Sequence, residues 1–210
     1  MTTQDATSAP RPPLRLEALA PDPFVQFARW YEEARRAGEP MPEAMALATV
    51  DAEGRPAVRM VLMKRVDRHG LVFYTNYRSP KARHLAERPA TSVVFYWPRL
   101  ERQVRVDGTV APLPAEASDA YFATRPRGSQ LGAWASPQSE PIASREVLVE
   151  RVAELARQYP GQVPRPPHWG GYRITPTRFE FWQAGDDRLN DRILYTRAAD
   201  GQWRRQRLAP

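Results

Sequence analysis

The chain has 210 residues, which is enough for one substantial hydrophobic core or for two small ones. Hydrophobic residues make up 42% and charged residues 26%, and the absence of cysteine excludes disulfides, thiolate metal sites and a cysteine nucleophile. The net charge of +7 favours acidic partners such as phosphorylated small molecules or nucleic acid, although arginines that simply face solvent would give the same value.

The first segment, residues 1–21, is rich in proline and alanine without periodicity, which predicts a mobile arm ahead of a single domain over residues 22–210. The segment has no apolar stretch typical of a secretory signal, and no run in the chain approaches the roughly 20 apolar residues of a membrane span. We therefore expect a cytoplasmic protein that binds no membrane. The first predicted helix runs from Pro23 to Ala37, with Asp22 as its cap and Gly38 after its end.

From residue 44 onward the apolar pattern changes to the alternation typical of strands. The predicted strands are Ala44–Val50, Ala57–Lys64, Leu71–Asn76, Thr91–Trp97 and Gln103–Val110, with a helix from Pro80 to Glu87 between the third and the fourth. The connections are short and rich in turn residues. Short connections favour antiparallel pairing over crossovers through helices.

The second half of the chain returns to helical periodicity and then to strands. Helices are predicted over Ala115–Thr124 and Ser144–Tyr159, and strands over Gly171–Thr175, Phe179–Gln183, Ile193–Arg197 and Gln202–Leu208. The sequence therefore predicts an α+β fold, in which helices surround a strongly twisted antiparallel sheet or barrel.

Several well-known catalytic and nucleotide-binding motifs are missing from the sequence, including G-x-G-x-x-G, Walker A, G-x-S-x-G and H-E-x-x-H. The only histidines are His69, His84 and His168, and they fall on a turn, a helix and a loop. A three-histidine metal site and a Ser-His-Asp triad are therefore not expected, and we predict no metal. Chemistry would have to come from a bound cofactor or from unaided carboxylates.

Two predicted phosphate-binding clusters lie in the first half of the chain. In the segment Arg59-Met60-Val61-Leu62-Met63-Lys64, the two cations point to opposite faces of a regular strand, so the strand bends or the cations serve different ligands. Alternatively, Arg59 reaches water and Lys64 marks the strand end. Ser79-Pro80-Lys81 opens a helix, where free N–H groups favour an anion, although many ordinary helices also begin in this way.

Two further clusters lie in the second half. Tyr121 and Arg125 are four residues apart on one helix face and both can donate to a phosphate, with Ser129 in the turn that Pro126 starts. A surface helix with an exposed arginine is the alternative. The aromatic strand ending at Trp182 leads into a loop with two arginines, which could stack on a ring or belong to an ordinary core.

Taken together, these segments resemble the pyridoxamine 5′-phosphate oxidase family from about Asp22 to Pro210. The similar stretches share their order along the chain with the family. They are Arg59–Lys64, Val72–Asn76, Leu100–Val104, Tyr121–Phe122, Arg125–Arg127, Ser129–Trp134, Gln138–Ser139, Trp169–Gly171, Glu180–Gln183 and Arg207–Pro210. So many separated matches in one order are a specific signal.

The resemblance implies an antiparallel split β-barrel that forms a homodimer, with two flavin mononucleotide (FMN) sites at the subunit interface. Within that family pattern, the residues expected at the FMN site are Arg59, Met60, Val61, Leu62, Lys64, Tyr74, Thr75, Lys81, Gln103, Gln138, Ser139, Trp182 and Arg192. The residues expected to bind substrate are Lys64, Tyr121, Arg125, Ser129, Arg188 and Asn190, of which Arg188 and Asn190 are the expected catalytic residues.

The reaction that the resemblance implies is FMN-dependent oxidation of pyridoxamine or pyridoxine 5′-phosphate to pyridoxal 5′-phosphate, with dioxygen reduced to hydrogen peroxide. The sequence departs from the family pattern at two positions. Relatives commonly carry a histidine where this chain has Asn190, and asparagine cannot change charge near neutral pH. Relatives often carry a basic residue where this chain has Pro80, so one phosphate contact is lost.

Two other functions are compatible with the sequence. One is a flavin oxidase of similar fold that acts on another substrate, such as a phenazine precursor. The phosphate-binding residues Lys64, Tyr121, Arg125 and Ser129 argue against it. The other is a non-catalytic module that binds flavin, pyridoxal phosphate or nucleic acid. The cations form short separated clusters rather than one stripe, so no nucleic-acid partner is expected.

Overall fold

The structure is a computed structural model that describes residues 12–210, so residues 1–11 of the predicted arm lie outside the described residues. The helices of the described part are α1 (Pro23–Arg36), α2 (Pro80–Glu87), α3 (Ala115–Ala123), α4 (Arg127–Ala135) and α5 (Arg145–Gln158). The strands are β1 (Ala44–Val50), β2 (Pro56–Leu62), β3 (Arg65–Asp67), β4 (Gly70–Asn76), β5 (Ala90–Trp97), β6 (Arg102–Pro112), β7 (Trp169–Gln183), β8 (Asp191–Arg197) and β9 (Trp203–Leu208).

The nine strands form one sheet in the order β2-β1-β5-β6-β7-β4-β3, and β8 pairs with both β7 and β9. Strand β4 runs antiparallel to the first half of β7, and β8 runs antiparallel to its second half. Helices accompany this antiparallel sheet, so the predicted α+β class is confirmed. No helix in the described part of the chain is both long enough and apolar enough to cross a bilayer.

The contacts within the chain divide it into two compact units. Unit one contains residues 12–44, 93–107 and 177–210, and unit two contains residues 45–92 and 108–176. The described part of the predicted arm is hydrogen-bonded within unit one: the Leu14 amide donates to Asp191 Oδ2 at 2.7 Å, and Gln183 Nε2 donates to the Pro12 carbonyl at 3.1 Å. The predicted single domain over residues 22–210 stays a prediction.

Unit one is built around α1, whose start and buried face follow the sequence pattern. The Asp22 carboxylate accepts the Phe24 amide at 2.7 Å and caps the helix, as predicted. Phe27 and Trp30 are fully or almost fully buried. The ring of Trp30 meets that of Phe181 edge-on at 5.2 Å, so the apolar stripe of the helix packs against the aromatic end of β7.

Unit two has its own apolar cluster, formed by the buried side chains Phe122, Leu131, Val163 and Trp169. Helices α3 and α4 supply the first two of these residues, and β7 begins with the last. Gly171, opposite Tyr74 in the register of β4 and β7, allows a close approach. A Cβ at Gly171 would lie 2.8 Å from the Tyr74 ring, so only glycine lets that ring lie against the strand.

The predicted turn at Ser129 is wrong, because residues 127–135 form helix α4. Pro126 does end the preceding helix, but proline also suits the start of a helix, and here it is the residue before the first turn of α4. The predicted break between two late strands is also wrong, since β7 continues through Pro176. Gly108 leaves room there: a Cβ at Gly108 would lie 2.2 Å from the Thr175 carbonyl oxygen.

The predicted cap at Ser79 is a further correction. Ser79 precedes α2 with extended backbone, but its side chain does not cap the helix. The buried hydroxyl instead donates to the Asn76 carbonyl at 2.8 Å and accepts from Lys81 Nζ at 3.1 Å. The serine therefore supports a lysine side chain rather than the helix end.

Candidate functional site

Unit two contains a cavity of about 520 Å³, which is a typical volume for a small-molecule site. Its lining consists of Met60, Val61, Leu62, Lys64, Tyr74, Thr75, Lys81, Tyr121, Thr124, Arg125, Pro126, Ser129, Gln138 and Trp169. Three of these side chains are cationic and none is acidic. The cavity therefore presents positive charge that no carboxylate of its own lining balances, and an anionic ligand fits it.

Lys81 is held in place on three sides. Its ammonium donates to Thr75 Oγ1 at 3.0 Å, to Ser79 Oγ at 3.1 Å and to Gln138 Oε1 at 2.7 Å. An ammonium has three protons, so these neutral acceptors fix its position without neutralising its charge. The charge remains available to a ligand.

The electrostatic cost of this arrangement appears in the pKa of Lys81. Burial, and then the charge of nearby Arg59, lower that pKa to about 8. Because the charge of Arg59 lowers the proton affinity of Lys81 and no carboxylate of the described residues lines the cavity, an anion bound near Lys81 stabilises its charged form. A phosphate-bearing cofactor fits the residues present here.

Among the residues that line the cavity, Arg125 has a buried hydrogen-bond donor without an acceptor in the described part of the chain. Its guanidinium carbon lies 4.6 Å from the centre of the Trp169 ring, within the range of a cation–π contact. Its Nη1 is buried and has no hydrogen-bond partner among the described residues. Burial also lowers the pKa of Arg125. Because an unpaired buried guanidinium nitrogen is costly, this geometry indicates an anion-binding position.

Aromatic rings form the wall beside Arg125. Tyr74 and Tyr121 stack with their ring centres 3.8 Å apart and their planes 15° apart. Trp169 stacks on Tyr74 at 5.3 Å and 11°. These parallel rings come from β4, α3 and the start of β7. They give the cavity a rigid face against which a planar ring compound can lie.

The two cations of the Arg59–Lys64 segment are separated by the end of a strand. Strand β2 ends at Leu62, and the exposed Lys64 lies beyond it and lines the cavity. Arg59 is half-buried within β2 and is not among the lining residues. Its Nη1 donates to Thr49 Oγ1 at 2.7 Å and to the Leu47 carbonyl at 3.0 Å, both on β1. The end of β2 before Lys64 agrees with the alternative that Lys64 marks the strand end.

The cavity thus collects one part of the residues predicted for the site and leaves out another. The predicted residues that line it are Met60, Val61, Leu62, Lys64, Tyr74, Thr75, Lys81, Tyr121, Arg125, Ser129 and Gln138. Those that do not are Arg59, Gln103, Ser139, Trp182, Arg188, Asn190 and Arg192. Of this second set, Arg59 and Ser139 belong to unit two and the others to unit one.

The loop that carries Arg188 and Asn190 in unit one has a defined backbone. Asp187 and Arg188 both have positive φ, 53° and 64°. The loop is closed by the Gly185 amide, which donates to Asn190 Oδ1 at 3.2 Å, and by the Leu189 amide, which donates to the Asp186 carbonyl at 2.9 Å. Asn190 therefore stabilises the loop that presents Arg188, a role the sequence did not indicate.

Arg192 follows this loop on β8 and is paired. Its Nε donates to Glu180 Oε1 at 2.8 Å, and this bond raises the pKa of Arg192. Glu180, only 4% exposed, also meets Arg105 Nη2 at 3.4 Å. The sequence placed Glu180 in a motif without giving it a role, because its pairing with residue 192 depends on the register of β7 and β8.

Some residues at the cavity were not predicted for it. Trp169 was noted only as part of a similar stretch, and Thr124 and Pro126 were not assigned to the site at all. Tryptophan before two glycines is a signal that could have identified Trp169, because glycines admit aromatic rings close to a strand. Residues 12–210 contain no group of three or more His, Cys, Asp or Glu side chains arranged to hold a metal.

The fold and the cavity define a class of protein: an α+β protein with an antiparallel sheet and a cationic, aromatic-walled cavity suited to phosphorylated ring compounds. Comparison with known families agrees with this class. Residues 31–159 match the family described as pyridoxamine 5′-phosphate oxidase. Residues 169–210 match the pyridoxine 5′-phosphate oxidase C-terminal dimerisation region. The chain belongs to the pyridoxamine 5′-phosphate oxidase family.

Curated relatives cover most of the chain. The pyridoxine/pyridoxamine 5′-phosphate oxidase of Rubrobacter xylanophilus is 59% identical over 191 residues, which are 90% of this chain and 88% of the relative. The protein of the same name from Paraburkholderia phymatum is 52% identical over 197 residues, 94% of this chain and 93% of the relative. The predicted family is confirmed.

Solved structures agree on the fold. PhzG from Burkholderia lata, in complex with tetrahydrophenazine-1-carboxylic acid, matches with a TM-score of 0.88 and 32% identity, covering 92% of this chain and 95% of PhzG. A pyridoxamine 5′-phosphate oxidase-related, FMN-binding protein from Nostoc punctiforme matches with a TM-score of 0.73 and 19% identity, covering 91% of this chain and all of that one. The second likeness concerns the fold alone.

Proposed function

We propose that this protein oxidises pyridoxine or pyridoxamine 5′-phosphate to pyridoxal 5′-phosphate with a bound FMN, and that dioxygen is the final acceptor and leaves as hydrogen peroxide. The single observation that carries the proposal is the unpaired, buried Nη1 of Arg125 in a cationic cavity. Family membership and relatives of that name support the same activity.

The proposed substrate-phosphate site consists of Lys64, Tyr121, Arg125 and Ser129. All four line the cavity, and they come from the β2–β3 connection, α3, the loop after α3, and α4. Arg125 would meet the phosphate through its unpaired Nη1, and the hydroxyls would donate to the remaining oxygens. The aromatic wall beside them would fix the orientation of the substrate ring.

The proposed cofactor site uses Arg59, Lys81 and Ser139 for the phosphate and ribityl part of FMN. Met60, Val61, Leu62, Lys64, Tyr74, Thr75, Gln103, Gln138, Trp182 and Arg192 are the further residues proposed for it. When bound, FMN accepts two electrons from the substrate carbon to be oxidised and passes them to dioxygen. Three neutral acceptors already position Lys81, and a phosphate would take the place of one of them to receive a hydrogen bond from the ammonium.

Arg188 and Asn190 are the proposed catalytic residues. Arg188 would hold the substrate over the cofactor and stabilise negative charge that develops during oxidation. Asn190 keeps the Arg188 loop closed through its bond to Gly185, and as an amide it contributes no titrating group. The reaction then needs no acid–base residue with a pKa near neutrality from this loop.

We further propose that the protein is a homodimer with its FMN sites at the subunit interface. The match of residues 169–210 to a C-terminal dimerisation region supports this assembly. That region carries Trp182, Arg188, Asn190 and Arg192. Light scattering coupled to size-exclusion chromatography should give twice the chain mass of 23.9 kDa, whereas a single-chain mass at micromolar concentration would contradict the dimer.

The activity is tested by spectroscopy and turnover on the full chain. Purified protein should show flavin absorption bands, or take up added FMN, and should release hydrogen peroxide with pyridoxine 5′-phosphate. Pyridoxine without its phosphate should be a far poorer substrate, because it leaves Arg125 unpaired. A colourless protein that takes up no FMN would contradict the proposal and favour a binding module without redox chemistry.

A second candidate is oxidation of an unphosphorylated phenazine precursor. The likeness to PhzG, whose structure holds tetrahydrophenazine-1-carboxylic acid, is the observation that favours it. The two candidates differ in what Arg125 would bind. Equal or faster turnover of a reduced phenazine carboxylate, with weak turnover of pyridoxine 5′-phosphate, would favour the second candidate.

A further inference from the structure

A chain of partly buried hydrogen bonds in unit two runs from helix α2 to Arg59. Arg59 Nη1 donates to Thr49 Oγ1 at 2.7 Å, and Thr49 Oγ1 lies 3.1 Å from His84 Nδ1. Thr49 on β1 is 1% exposed, so bulk water does not reach it. The proposed phosphate ligand Arg59 is thus joined to a histidine for which the sequence indicated no function.

The hydrogen-bonding roles along this chain follow from the groups themselves. An arginine only donates, so the Thr49 hydroxyl must accept from Arg59. The single hydroxyl proton then needs an acceptor, and among the described residues His84 Nδ1 is a ring nitrogen within hydrogen-bond distance. If His84 Nδ1 accepts that proton, the imidazole carries its own proton on Nε2, and Thr49 is held as an acceptor that faces the arginine.

Among the described residues, the guanidinium of Arg59 is held by hydrogen bonds to strand β1 alone. Both protons of Nη1 are used on β1, one by Thr49 and one by the Leu47 carbonyl at 3.0 Å. Within residues 12–210 Arg59 forms hydrogen bonds only through Nη1, which leaves Nε and Nη2 for another acceptor. A planar guanidinium held in this way presents a preset edge to an oxyanion.

Helix α2 links this arginine to the lysine of the cavity. Lys81 and His84 are three residues apart on α2 and so lie on neighbouring positions of one helix face. The charge of Arg59 contributes to the lowered pKa of Lys81, which places the two cations within electrostatic reach. Helix α2 therefore carries the cation Lys81, and through His84 it also contacts Thr49, the residue that binds the second cation, Arg59.

We propose that Thr49 and His84 are positioning residues for the cofactor phosphate: Thr49, oriented by His84, holds Arg59 so that it and Lys81 grip one phosphate group. This inference rests on the proposed function, since it assumes that FMN binds. It makes a specific claim about selectivity. The pair should strengthen binding of FMN and leave binding of riboflavin, which lacks the phosphate, nearly unchanged.

The test titrates the full chain, freed of flavin, with FMN and with riboflavin, following the flavin fluorescence. Thr49→Val should raise the dissociation constant for FMN about tenfold or more and that for riboflavin less than twofold, because only FMN meets Arg59. Thr49→Ser keeps the hydroxyl and should restore FMN affinity to within about threefold of the parent. His84→Leu should weaken FMN binding in the same selective way, by a smaller factor.

Thr91→Val is the matched control. Thr91 is also a buried threonine of unit two, and its hydroxyl donates to a β1 carbonyl, that of Ala48, at 2.6 Å, without touching Arg59. It should lose a comparable amount of thermal stability and keep the preference for FMN over riboflavin. A Thr91→Val variant that loses this preference as Thr49→Val does would overturn the inference.

Two results separate this inference from the proposed function. If the parent chain binds FMN and both Thr49→Val and His84→Leu keep its preference over riboflavin, the positioning role is wrong while the function stands. If the parent binds no FMN, both are wrong. Nitrogen NMR of the histidine rings gives a readout without any flavin: a protonated Nδ1 on His84 would overturn the proposed orientation of Thr49.

Discussion

Cations are treated differently in the two units of the chain. In the cavity of unit two, Lys64, Lys81 and Arg125 line one space that has no acidic residue in its lining. Along β8 and β9 in unit one, arginines meet buried carboxylates: Arg192 pairs with Glu180 and Arg207 with Asp191. The first region keeps its positive charge for a ligand, and the second uses its positive charge internally.

The burial of these acidic partners explains the difference. Glu180 is 4% exposed and Asp191 8%, and a buried carboxylate is tolerated only when it is paired. Their arginines are therefore part of the folded structure whether or not a ligand binds. Arg125, by contrast, has a buried nitrogen with no hydrogen-bond partner among residues 12–210. The free-energy cost of burying that nitrogen is relieved only when a ligand accepts a hydrogen bond from it. Pairing thus distinguishes cations whose charge the fold already compensates, including the Arg192 proposed for the FMN site, from those such as Arg125 whose buried nitrogen only a ligand would pair.

Arg188 tests the limits of this comparison, because it lies among the paired arginines and yet makes no ion pair within residues 12–210. Unlike Arg125 it is exposed, so water solvates its charge and its ligand-binding role rests on the proposed function. Arg188→Ala should lower kcat by about 100-fold or more, the usual effect of removing a group that stabilises developing charge. The flavin content of the purified variant should stay near that of the parent. Steady-state turnover and the flavin absorbance of one preparation check both parts, and equal activity in variant and parent would remove the role.

Arg125→Leu tests the cavity itself. Loss of a charge-assisted bond to the substrate phosphate should raise KM for pyridoxine 5′-phosphate by about 10- to 100-fold. The weak activity on unphosphorylated pyridoxine should change little. Arg178→Leu removes an exposed arginine of unit one and serves as the control, with both activities kept. If Arg125→Leu reduced both activities equally, the residue would act through the fold rather than through the phosphate.

The lowered pKa of Lys81 gives a pH prediction. The pKa of about 8 lies below the ordinary 10.5, so the ligand-free protein loses this positive charge as pH rises through 8. Between 8 and 10.5 the unfolded chain holds more protons there than the folded one, so this lysine makes stability rise with pH in that window. FMN affinity moves the other way, falling up to about tenfold per pH unit above 8, because the phosphate binds the charged form.

Titrations of FMN between pH 7 and 9.5 check this prediction. Lys81→Met should bind FMN more weakly and lose most of the pH dependence above pH 8. Riboflavin, without a phosphate, should show little change over the same range in the parent chain. An FMN affinity that is flat from pH 7 to 9.5 in the parent would mean that Lys81 keeps its charge or does not contact the phosphate.

Most of the cavity could be predicted from the sequence, because its residues lie in segments that resemble the family, and the strands and turns around them have clear local patterns. Tyr121 and Arg125 are examples of residues in such segments, although the predicted common helix face is wrong, because α3 ends at Ala123 and Arg125 lies in the loop after it. The support of the site could not be predicted. His84 reaches Thr49, and Glu180 reaches Arg192, only through strand register and packing, and no local spacing encodes these contacts.

Two predicted helix caps show the same limit. Asp22 and Ser79 both precede a proline that opens a helix, and both residue types are typical caps. Only Asp22 caps its helix. The buried Ser79 hydroxyl instead accepts a hydrogen bond from Lys81, so its contact with a cavity residue replaces the cap that the local sequence predicts. The same sequence pattern, a typical cap residue followed by proline, therefore marks a helix cap in unit one and a residue that supports the site in unit two.

Substitution of these two residues gives the smallest predicted effects. Asp22→Ala should lower the free energy of unfolding by about 1 kcal/mol, the usual value of a cap, and leave FMN affinity unchanged. Ser79→Ala removes one acceptor of Lys81 without removing a cap, so it should change FMN affinity by a few-fold. Urea unfolding and FMN titration of both variants check the pair. A cap-sized stability loss in Ser79→Ala with unchanged FMN affinity would show that Ser79 serves the helix after all, and the division between structural and ligand-binding groups would then fail at this position.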